Sequence, residues 1–122
     1  MHFDPEMMRD ILQFVENIPA GEVLNGSIAF ESRPQAETNE HVQLLLDDAY
    51  LTGVSQRDSK GFTSRFLIRG LTMKGHQFVA NARNDTLWKK VVSQAKEKGQ
   101  SVGITVLNGL LEQAAKKYAG LE

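Results

Sequence analysis

The chain has 122 residues, 41% of them hydrophobic, a net charge of −1 and no cysteine. That length fits one domain able to bury about two-thirds of its unfolded surface and leaves no room for a second. Disulfides and thiolate zinc sites are excluded, no apolar run nears the roughly 20 residues that span a bilayer, and "MHFDPEMMRD" lacks the basic-then-apolar layout of a signal peptide, so a cytoplasmic protein is expected.

Asp4-Pro5 is a helix start, a capping carboxylate followed by proline at the first helical position. Met8, Ile11, Leu12, Val15 and Ile18 then mark one apolar stripe, which Pro19-Ala20-Gly21 ends. Residues 22–37 have weak periodicity, with Gly26, Pro34 and only the short "SIAF" as a strand, and an irregular link is expected there. Thr38 can cap a second helix, buried at Val42, Leu45, Leu46, Ala49 and Tyr50. "AYLTGV" carries that helix into a strand, and the polar "SQRDSKGF" reads as the tip of a hairpin.

The return strand, 63–71, alternates Phe66 and Ile68 against Arg65, Leu67 and Arg69. Within "FLIRGLTMKGHQFVANAR" the period then changes at Leu71-Thr72. Thr72 can cap a third helix running to Arg83, and Gly75 allows it to approach neighbouring backbone closely. Asn84 or Asp85 restarts the chain into a fourth helix, with Leu87, Trp88, Val91, Val92 and Ala95 inward and Lys98-Gly99 as its stop. Ser101 can cap a fifth, whose stripe is Val106, Leu107, Leu110, Leu111, Ala114 and Tyr118. Leu121-Glu122 reads as a cloning remnant.

Helix, link, helix, hairpin, helix is the order of a winged helix. The expected class is therefore α+β, mainly helical: one winged-helix-like domain over 1–120, with a core at 4–83 and two added C-terminal helices over 85–120. "HVQLLLDDAYLTG" at 41–53, "LTMKGHQFVANARNDTLWKKV" at 71–91 and the helix from Ser101 to Gly120 together resemble the domain of unknown function 2513 family, small bacterial and phage proteins. The resemblance implies a winged-helix-like architecture and no reaction or ligand. Tyr50 stands where that pattern has glycine before the leucine.

Charge is strongly segregated. Residues 1–51 hold two arginines against ten carboxylates, a balance of −8, and residues 52–122 hold twelve lysines and arginines against five carboxylates, a balance of +7. The split predicts attraction between the halves, an anion-seeking face, or an unevenly composed solvated surface. A winged helix that reads DNA would present Glu40, Gln43, Leu44 and Asp47 to the major groove, and carboxylates there oppose a polyanion. The hairpin has the opposite sign: Arg57, Lys60, Arg65 and Arg69 suit phosphates or an acidic protein face. Leu44, in a run of three leucines, predicts cover from the fourth or fifth helix or from a second subunit, and Leu110 is a second candidate contact. A protein-interaction or assembly module and a DNA-binding regulator both remain open, the partner being a protein, a second copy or DNA.

His41 and His76 begin two helices and can meet where those helices pack. They read as a structural pair pinning helix ends, with a metal pair completed by Glu37 or Glu40 and a pH-sensitive contact as alternatives. No HExxH, GxSxG, phosphate-binding loop or cysteine nucleophile is present, so no enzyme and no cofactor is expected. Trp88 beside Lys89 and Lys90 could stack on a base, but its place on the apolar stripe makes it a core residue.

Overall fold

The computed structural model describes residues 3–61, 63–97 and 103–118. Its elements are α1 (Pro5–Glu16), β1 (Leu24–Gly26), α2 (Gln35–Asp47), β2 (Leu51–Arg57), β3 (Thr63–Leu71), α3 (Met73–Ala82), α4 (Asp85–Glu97) and α5 (Ile104–Tyr118). The three strands form one antiparallel sheet in the order β1-β3-β2, so the return strand of the hairpin is central. The class is α+β and mainly helical, consistent with a winged-helix-like fold. An irregular segment between β1 and α2 stands where such folds usually carry another helix.

Local chemistry explains most boundaries. Asp4 Oδ1 accepts from the Glu6 and Met7 amides, and Pro5 opens α1. The Thr72 hydroxyl accepts from the Gly75 amide, and Asn84 Oδ1 accepts from the Leu87 amide, so two further helices start on their expected caps. Two expectations at β1 and α2 need correction. The strand is Leu24–Gly26 and not "SIAF", because Leu24 pairs with Ile68 and Gly26 with Phe66, while Ile28 turns into the core. Helix α2 starts at Gln35 on an extended Pro34, and Thr38 lies inside it, buried, donating its hydroxyl to the Pro34 carbonyl.

The end of α2 fixes the hairpin. The Tyr50 amide donates to the Leu45 carbonyl and the Ala49 amide to that of Leu46, a Schellman closure with Ala49 at the left-handed position, φ 61°. Ala49 was expected on the buried stripe; it is exposed, because that reversal carries it off the helix and delivers Tyr50 to the core instead. The Tyr50 carbonyl then accepts from the Thr72 amide, and the Thr72 hydroxyl donates to the Ala49 carbonyl at 2.6 Å. Helix α3 approaches so closely that a Cβ on Gly75 would lie 2.2 Å from the Tyr50 carbonyl oxygen. A second close approach occurs at Gly53 in β2, φ 157°, where a Cβ would meet the Leu67 carbonyl oxygen at 2.1 Å.

One hydrophobic cluster joins all five helices and the sheet. Met7, Met8, Ile11, Leu12 and Val15 from α1 meet Phe66 and Ile68 from β3 and Phe78 and Val79 from α3. Tyr50, Phe78 and Trp88 form an edge-to-face series at 5.8 and 6.1 Å. The Trp88 indole N–H donates to Glu6 Oε1, and Arg9 lies over its ring while pairing with Asp85, which holds that carboxyl below the usual carboxylate range. Helix α5 packs chiefly on α4 and α3 through Ile104, Leu107 and Leu111. Val106 and Tyr118, expected on that stripe, are 47% and 73% exposed, because the cradle between α3 and α4 accepts a narrower face. The expected stop at Lys98-Gly99 and cap at Ser101 lie outside the described residues.

The two positions flanking Tyr50 should respond to substitution in opposite directions. Gly75→Ala forces α3 off the Tyr50 carbonyl and should cost about 1–3 kcal/mol, whereas Ala49→Gly relieves the left-handed alanine and should stabilise by about 1 kcal/mol; urea unfolding of both variants reads the signs. Tyr50 gives a pH prediction. Burial, with the Asp48 and Glu112 carboxylates nearby, pushes its hydroxyl up to about 12 from 10.0. Its Oη lies beside Asn108, yet neither it nor Asn108 Oδ1 completes a hydrogen bond of ordinary geometry among the described residues. The unfolded chain releases this proton near 10 and the folded chain near 12, so the contribution to stability is whole below pH 10 and is lost as pH rises toward 12. Tyr50→Phe should flatten that alkaline decline in urea unfolding measured on either side of pH 10.

Candidate interaction groove between α2 and the β2–β3 hairpin

Helix α2 buries Thr38, His41, Val42 and Leu45, one side of its cylinder. The side turned away from the core carries Gln35, Asn39, Gln43 and Asp47 at intervals of four, one row along the helix. The tip of the hairpin stands beside that row. Between them lies a groove of about 710 Å³, whose walls include Asn39, Glu40, Gln43 and Leu44 on the helix side and Arg57 and Thr63 on the hairpin side.

A chain of hydrogen bonds laces the two walls. Gln35 Nε2 donates to the Ile28 carbonyl and to Asn39 Oδ1, both at 2.8 Å. Asn39 Nδ2 donates to the Thr63 carbonyl, and the Thr63 hydroxyl to Gln43 Oε1, each at 3.5 Å. Gln43 Nε2 donates to Asp47 Oδ1 at 2.8 Å. The side-chain amides therefore set the spacing between helix and hairpin, and the long bonds at Thr63 make that junction the weakest in the series.

Charge divides across the groove. Glu37, Glu40 and Asp47 are exposed along α2 and Asp48 at its C-cap; Arg57 and Lys60 are exposed at the hairpin tip, with Arg65 and Arg69 exposed farther along β3. Arg57 donates to the Gly61 carbonyl and Arg65 to Asn25 Oδ1, neither of which neutralises it. The ion pairs of the described residues lie elsewhere: Arg9 with Asp85, Arg33 with Asp10 and Arg83 with Glu16.

The predicted site residues thus fall into separate groups. Glu40, Gln43, Leu44 and Arg57 share the groove. Glu40 is exposed and Leu44 only half-buried, since α5 seats on α3 and α4 and leaves this face open. Leu110 is half-buried in a shallow cleft with Lys90 and Lys117 between α4 and α5, apart from the groove. The histidines part company. His41 is buried, its Nε2 accepting from the Asp4 amide at 3.0 Å and its Nδ1 contacting the Glu37 carbonyl at 2.8 Å, with Phe3 stacked on the ring. That arrangement requires the neutral Nδ1–H tautomer and occupies both nitrogens, so neither is free for His76, which is exposed in the first turn of α3. Among the described residues no three His, Asp or Glu side chains gather as a metal site, and no helix is long and apolar enough to cross a membrane. Trp88 is 1% exposed and has no face for a base.

Residues 2–101 match the model of the family described as hypothetical protein (DUF2513). The chain belongs to this family. No curated protein and no solved structure matches it. The family's description names no activity.

His41 ties the capping residue of α1 to the flank of α2. His41→Ala leaves the Asp4 amide unsatisfied beside a new cavity and should cost about 2–4 kcal/mol, read by urea unfolding.

Proposed function

We propose that this chain is a non-enzymatic, cytoplasmic protein-interaction module whose working surface is the face formed by α2 and the β2–β3 hairpin. The observation that carries the reading is an open groove with the Glu40 carboxylate on its helix wall and Arg57 on its hairpin wall, flanked along α2 by the exposed carboxylates of Glu37 and Asp47. A helix inserted into a major groove meets phosphates on both sides, and the carboxylates of Glu37, Glu40 and Asp47 on it oppose entry. A polypeptide surface can match both signs. The non-enzymatic part is supported by His41, whose two nitrogens are spent on backbone groups.

The hairpin favours one competing reading. Arg57, Lys60, Arg65 and Arg69 are exposed and could contact phosphates while α2 stays clear of the bases. A photocrosslinking amino acid placed at Leu44 separates the two in cells. The expected result is an adduct that protease removes and nuclease does not. A nuclease-sensitive adduct, together with DNA binding that falls steeply with salt and weakens in Arg57→Ala with Arg65→Ala, would replace the module with a DNA-binding protein.

A further inference from the structure

We infer that the partner of this face is a second copy of the same chain, in a two-fold dimer that sets α2 of each copy against the hairpin of the other. The inference rests on the reading of this face as an interaction surface and names its occupant. Three observations support it.

The first is that the charge split of the sequence is not consumed inside the fold. Of the ion pairs between the halves, Arg83 with Glu16 follows the split, and Arg9 with Asp85 runs against it. The second is placement: charges of both signs without an ion partner among the described residues meet at one groove. Glu40 and Arg57 line opposite walls, with Asp47 along the helix from the first and Lys60 beside the second, and none of the four has an ion partner among the described residues. The third is symmetry. A two-fold contact presents the same patch from both sides, so a patch that is acidic on one flank and basic on the other pairs with itself, each attraction formed twice. Leu44, half-buried beside Glu40, supplies an apolar residue to such a patch.

Charge exchange tests this on the full chain. Sedimentation should show a dimer at low salt that loosens as salt is added, since the Debye length falls from about 10 Å at 0.1 M to about 3 Å at 1 M. Glu40→Lys with Asp47→Lys makes both flanks basic, and Arg57→Glu with Lys60→Glu makes both acidic. Each double variant alone should be monomeric with an unchanged circular dichroism spectrum. Mixed in equal amounts they should recover the doubled mass, because each flank again faces its opposite. Wild-type protein that stays monomeric at low salt, a dimer indifferent to either double variant, or a mixture that fails to associate overturns the inference. If the dimer fails while the Leu44 crosslink still captures another protein, the interaction module survives and its occupant is a different chain. A nuclease-sensitive crosslink removes both.

Discussion

The Tyr50 carbonyl group holds the architecture together. It accepts from the Thr72 amide and receives α3 at a distance only a glycine allows, while the Thr72 hydroxyl reaches back to the Ala49 carbonyl. Three elements are fixed by this one contact: the end of α2, the entry to β2 and the start of α3. The Schellman closure before it sends Tyr50 inward, so its ring reaches Phe78 and, through Phe78, Trp88. The backbone junction aims the hairpin relative to α2, and the amide row of Gln35, Asn39 and Gln43, bonded to Thr63, sets the spacing across the groove. Glu40 and Arg57 stand outside that row, so the groove carries charge without using it to hold its walls.

Electrostatics and packing are separated in space. The arginines of the N-terminal half are used near α1, Arg9 over Trp88 and against Asp85, Arg33 over Phe30 and against Asp10. Partly exposed pairs of this kind contribute little to stability individually, but they remove the only positive charges that could have neutralised α2 from within its own half. The acids of α2 therefore keep their field, and the cations of the hairpin keep theirs. A protein can hold a net charge near zero and still present two strong faces of opposite sign.

Much of the fold was legible in the sequence because its signals were local. Asp4-Pro5, Thr72 and Asn84 are caps that work within one helical turn, and the alternation of Phe66 and Ile68 with Arg65 and Arg69 needs no knowledge of the partner strand. Gly75 announced a close approach, though not the carbonyl approached. What escaped was set by tertiary contact. The three residues of β1 have no period and become a strand only because β3 is there to pair with them. Thr38 has the chemistry of a cap but is a buried interior residue, and the helix begins three residues earlier, where Gln35 heads the row that Asn39 and Gln43 continue. His41 was legible as structural, but its attachment to Asp4 was not, since nothing local joins residues 37 positions apart.

The sheet order has one more consequence. With β3 at the centre, the edges are β1, only three residues long, and β2, whose register shifts at Thr52/Gly53 and again at Gln56/Arg57. Short and irregular edges are poor templates for another strand, and natural sheets use both devices against runaway pairing. Growth of this sheet into a continuous ladder with neighbouring molecules is disfavoured at both ends. Recognition then falls to side chains on the helix and hairpin, which can be tuned one residue at a time without exposing the chain to aggregation.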